Sequence, residues 1–86
     1  MKPGTPSIDI VAFGDDERIA VEIETGKNSI EQIIENIFKC IQADFHKIYA
    51  IATTEKAYQK IKQALIRKDL IYDPRIKVIK AGYFID

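Results

Sequence analysis

The chain has 86 residues, with 13 basic and 13 acidic side chains and a formal net charge of zero. That length suits one small domain. The charge balance excludes nucleic-acid binding by bulk charge alone, so any such role needs a local patch, a metal or another chain. No apolar run approaches the ~20 residues that span a bilayer.

Residues Met1 to Pro6 are rich in proline and glycine and lack a signal-peptide apolar stretch, so they are expected to be a lead-in to a cytoplasmic, non-membrane protein. Ile8 to Phe13 (IDIVAF) reads as a first strand. Gly14-Asp15-Asp16-Glu17 is a turn, and Arg18 to Thr25 (RIAVEIET) alternates with period two as a second strand. So short a connection implies an antiparallel hairpin. With the turn centred between Asp15 and Asp16, Asp9 stands opposite Glu22, Ile10 opposite Val21 and Ile8 opposite Ile23. One face of this hairpin is then apolar (Ile8, Ile10, Ala12, Ile19, Val21, Ile23). The other carries Asp9, Glu22 and Glu24.

Gly26-Lys27-Asn28 breaks the strand, and Ser29 with Gln32, or Asn28 with Glu31, fits a capping box. The helix that follows runs to about Ala43, with Ile30, Ile33, Ile34, Ile37, Phe38 and Ile41 on one stripe. Gln32, Glu35, Asn36 and Lys39 lie off it. Cys40 falls in the apolar pattern and reads as a core residue. His46 has no visible partner for catalysis and reads as a surface residue. Ile48 to Ala52 (IYAIA) is continuously apolar, the mark of a strand covered on both faces. Thr53 or Thr54 caps a second helix through about Lys68, which buries Ala57, Tyr58, Ile61, Ala64 and Leu65. Asp73-Pro74 marks a turn, and Arg75 to Phe84 reads as a last strand at an edge. The order β-β-α-β-α-β predicts an α/β domain: a mixed sheet with an N-terminal antiparallel hairpin and two flanking helices.

Three like charges on one hairpin face repel one another unless solvent screens them or a cation lies among them. Their hard oxygens suit Mg²⁺ or Mn²⁺. They also precede a helix N-terminus, where free N–H groups favour an anion such as phosphate. Gly26-Lys27-Asn28-Ser29 lacks the glycine-rich run of a triphosphate loop, which rules that use out.

Asp9 followed by Val21-Glu22-Ile23-Glu24-Thr25-Gly26-Lys27 and a helix resembles the PD-(D/E)xK, restriction-endonuclease-like nuclease superfamily. The resemblance covers roughly Ser7 to Ala52. It matches Asp9 to the family's first acid and Glu22 to its second, and it departs from the pattern at Glu24, where lysine is usual. Pro6-Ser7-Ile8-Asp9 stands for the family's adjacent Pro-Asp. The family core has a helix and a strand before the first acid, so this chain is expected to be a minimal version, a fragment or a C-terminal domain. The resemblance implies a Mg²⁺- or Mn²⁺-dependent DNA phosphodiesterase. Asp9, Glu22 and the Ile23 carbonyl would hold the metal, and Glu24 would orient the attacking water. Lys39, or Lys27, would meet the phosphate charge. Lys27, Asn28, Ser29, Gln32 and Asn36 are the expected nucleic-acid contacts, and a homodimer or further domain would complete the grip. Two alternatives stand beside this. One is the same fold as a non-catalytic DNA-binding or assembly module; the other is an interaction domain whose acids form a solvated face.

Overall fold

The computed structural model describes residues 10–14 and 17–81, and side chains from Glu17 onward. Six elements follow in the order β1 (Ile10–Gly14), β2 (Glu17–Glu24), α1 (Ile30–Gln42), β3 (Lys47–Ala52), α2 (Glu55–Arg67) and β4 (Ile76–Lys80). They form one sheet in the spatial order β1-β2-β3-β4. β2, β3 and β4 make a three-stranded parallel sheet, with Glu22 beside Ala50 and Ile48 beside Ile76. β1 lies antiparallel against β2, with Ile10 opposite Val21 and Gly14 opposite Glu17. No helix among the described residues is long and apolar enough to cross a membrane.

Local chemistry sets the helix limits. Ser29 Oγ accepts from the Gln32 N–H, and Thr54 Oγ1 accepts from the Ala57 N–H, so each N-cap satisfies a donor that the helix leaves open. Both helices end in the same way. Asp44 and Asp69 take left-handed conformations with φ of 59° and 58°, which aspartate tolerates better than most side chains. The next residues then bond back into the helix, Phe45 N–H to the Cys40 carbonyl and Leu70 N–H to the Leu65 carbonyl. This is the Schellman closure, and it drives Phe45 into the core and Leu70 against it.

Right-handed crossovers between adjacent parallel strands put both helices on one face of the sheet. The buried strand residues accordingly share that face: Ala20, Glu22 and Glu24 on β2, Ile48, Ala50 and Ala52 on β3, and Ile76 on β4. Ile33, Ile37, Ala57, Ile61, Ala64 and Leu65 cover them from the helices. Small alanines on β3 let the helix layer approach closely, and an exposed ion pair between Arg67 and Glu31 (2.8 Å) ties α2 to α1.

Three expectations are corrected here. β3 is covered fully on one face: Ile48, Ala50 and Ala52 are buried while Tyr49 and Ile51 are half-buried, because both described helices pack on the same side. The last strand is Ile76–Lys80 and not Arg75 onward, with residues 82–84 of the expected strand outside the described residues, and it is preceded by a turn in which Asp73 accepts from both the backbone and the guanidinium of Arg75. Tyr58, expected in the core, is half-buried at its margin, with the Lys80 ammonium 4.4 Å from its ring centre.

Ile61 is wholly buried and Ile66 on the same helix is 59% exposed. Ile61→Ala should cost about 2–5 kcal/mol in urea unfolding, and Ile66→Ala less than about 1 kcal/mol. Equal losses would contradict this helix orientation. The Arg75 guanidinium hydrogen-bonded to Asp73 holds that carboxyl below its ordinary 3.8. The unfolded state therefore binds the proton first as pH falls, so stability drops below about pH 3.8 and down through Asp73's depressed value. Asp73→Asn should flatten that part of an acid-unfolding profile; an unchanged profile would remove Asp73 from the account.

Candidate functional site

β2 turns Glu22 and Glu24 toward α1, since side chains two apart on a strand share a face. Each is only 2% exposed. A solvated acidic face is therefore excluded for this pair, and burial rather than water governs their surroundings. Putting a carboxylate into a protein interior is costly unless polar groups compensate it. α1 and the loop before it supply such groups. The Cys40 thiol faces Glu22 Oε1 at 3.5 Å, and Asn28 Nδ2 donates to Glu24 Oε2 at 3.0 Å. Gln32 Nε2 donates to Asn36 Oδ1 at 3.2 Å, and Asn36 is 9% exposed. Gln32, Asn36 and Cys40 are spaced four apart, so they form one line along α1. Among the described residues no buried side-chain nitrogen or oxygen lacks a hydrogen-bond partner.

The loop between β2 and α1 is held against α2. Gly26 adopts φ +95°, and a Cβ there would lie 3.3 Å from Thr54 Oγ1 and 3.6 Å from both Ala57 N and Lys56 Cβ. Glycine meets both demands, the left-handed backbone and the close approach. Thr53 Oγ1 donates to the Glu24 carbonyl at 3.1 Å. Lys60 Nζ donates to the carbonyls of Gly26 and Asn28, each at 2.9 Å.

The expected site residues thus divide. Glu24 meets Asn28 in the loop before α1, Glu22 meets Cys40 near the end of α1, and Gln32 meets Asn36 between them. Ser29 is used as the N-cap. Ile23 lies between the two acids in β2, beside Ile51 of β3, and its side chain points to the opposite face, 41% exposed. Lys27 and Lys39 are exposed. Asp9 lies outside the described residues. His46 is exposed, and its Nδ1 accepts from the Arg18 N–H. Cys40 and Lys60 were missed as members. The spacing of Cys40 from Asn36 and Gln32 could have shown the first; nothing local in the sequence shows the second.

The oxygens of Glu22 and Glu24 are hard donors of the kind Mg²⁺ and Mn²⁺ prefer. Among the described residues no group of three or more His, Cys, Asp or Glu side chains could hold a metal ion. A two-carboxylate site completed by water and phosphate is the common Mg²⁺ pattern. No family model, curated protein or solved structure matches this chain.

Asn28→Ala removes a hydrogen bond from a buried carboxylate and should cost about 1–3 kcal/mol at neutral pH in urea unfolding. A change within about 0.5 kcal/mol, the usual range for surface sites, would show that the Asn28–Glu24 contact carries no weight.

Proposed function

We propose that the chain is a metal-dependent DNA phosphodiesterase of the restriction-endonuclease-like kind. The observation that carries this reading is the burial of two same-face carboxylates, Glu22 and Glu24, under a helix that buries Asn36 and Cys40 beside Ile33 and Ile37. Buried acids are a poor source of stability compared with apolar residues of the same size, so their retention favours a chemical role. The sequence pattern adds Asp9 and the Ile23 carbonyl to the metal ligands beside Glu22. A bound Mg²⁺ or Mn²⁺ would polarise the scissile phosphate and lower the pKa of an attacking water.

Glu24, held by Asn28, orients that water. Asn28 and Gln32, both half-buried, mark the flank of α1 from which phosphate enters. Lys27 and Lys39 stand exposed on that loop and helix to meet its charge. The neutral chain needs local cations for DNA, and α2 offers Lys56, Lys62 and, at its C-cap, Lys68 against the single acid Glu55, Arg67 being paired with Glu31. A second copy or a further domain completes the grip.

One observation favours a non-catalytic module instead. The polar groups around the acids are mutually satisfied, as in a structural network. Plasmid cleavage decides between the two. With Mg²⁺ or Mn²⁺ the protein should nick or linearise supercoiled DNA, EDTA should stop it, and Glu22→Gln should reduce the rate by at least about a hundredfold, in the range expected when a residue stabilising the transition state is lost. DNA binding without cutting under every metal condition would favour the module, and cutting that survives Glu22→Gln would remove the assigned site.

A further inference from the structure

We propose that Lys60 is a positioning residue for Glu24, acting from α2 through the loop that joins β2 to α1. This rests on the hydrolase reading of Glu24. The ammonium of Lys60 donates to the carbonyls of Gly26 and Asn28, each at 2.9 Å, and so brackets Lys27 from across the molecule. Asn28 in turn donates through Nδ2 to Glu24 Oε2 at 3.0 Å. The chain of contacts is short: one cation, one loop residue, one buried carboxylate.

A lysine on a helix flank ordinarily extends its ammonium into water and keeps its rotamer freedom. Lys60 is instead half-buried, its head fixed on two carbonyls that belong to no helix or strand ladder. Both carbonyls precede that of Ser29, which is the first to accept within α1, from the Ile33 N–H. The other contacts of the loop act elsewhere along it. Thr53 Oγ1 and Thr54 Oγ1 donate to the carbonyls of Glu24 and Thr25, and Gly26 packs on Thr54. Lys60 alone among these contacts engages the carbonyl of Asn28, the residue whose side chain reaches Glu24. It also brings a positive charge to the site's flank, from a part of the chain 32 residues beyond Asn28.

A group that orients a ligating or water-holding carboxylate typically changes metal affinity or activity by about 10–100-fold when lost. Two readouts separate positioning from plain support of the fold: the NMR resonance of the Asn28 side-chain amide, and Mn²⁺ affinity by titration. In Lys60→Met the amide resonance should move to the position of a solvated asparagine while the rest of the spectrum stays dispersed. Mn²⁺ binding should weaken by about 10–100-fold, and Lys60→Arg should restore both readouts.

An unmoved Asn28 resonance in Lys60→Met overturns the proposal. So does a moved resonance with unchanged Mn²⁺ affinity. Wild-type protein that binds no Mn²⁺ while the resonance still moves sinks the hydrolase reading and leaves the Lys60–Asn28 linkage standing. If Lys60→Met does not fold, Lys60→Gln takes its place under the same outcomes.

Discussion

The fold is organised around two carboxylates that have been taken out of water. Glu22 and Glu24 occupy positions on the covered face of β2 where Ala20 and the β3 alanines show what a merely structural strand would place. Desolvating two neighbouring acids is unfavourable on both counts, burial and mutual repulsion. The surroundings answer with donors aimed at them and with a helix that carries Gln32, Asn36 and Cys40 along its inner line. Everything near this pair follows from that need. Asn36 and Cys40 share the buried face of α1 with Ile33 and Ile37, and Asn28 in the loop before α1 donates to Glu24.

Much of the architecture was legible in the chain. Ser29 and Thr54 announce their helices because a hydroxyl before an apolar-periodic run has one favourable use. The i, i+3, i+4 stripes identify Ile33, Ile37, Ile61 and Leu65 as core. What a two-residue period cannot tell is which face the helices will cover. Ile19, Val21 and Ile23 look like the inner face of β2, yet the crossovers place α1 over Glu22 and Glu24 and leave Ile23 41% exposed. The same limit explains β3, whose unbroken apolar run suggested two covered faces, whereas Tyr49 and Ile51 are half-buried among the described residues. Lys60 was invisible for a different reason. Its role depends on α2 docking beside a loop far away in sequence, and no local pattern encodes that meeting.

The acids and the second helix are therefore one unit. α2 contributes core through Ile61 and Leu65, caps itself with Thr54, and spends its first two turns fastening the β2–α1 loop. Its exposed residues include Lys56 and Arg67, while the buried acids lie on β2. A neutral chain can thus present local charge of both signs, acidic where a cation would bind and basic where a phosphate backbone would lie.

On the proposed reading, Glu22 is buried to hold a divalent cation while Glu24 beside it orients the attacking water. Water-proton relaxation during Mn²⁺ titration measures this most directly, because it reports bound metal whether or not DNA is cut. The account predicts saturable binding that Glu22→Gln abolishes while the circular dichroism stays native. No saturable binding, or binding that Glu22→Gln leaves unaltered, would contradict it.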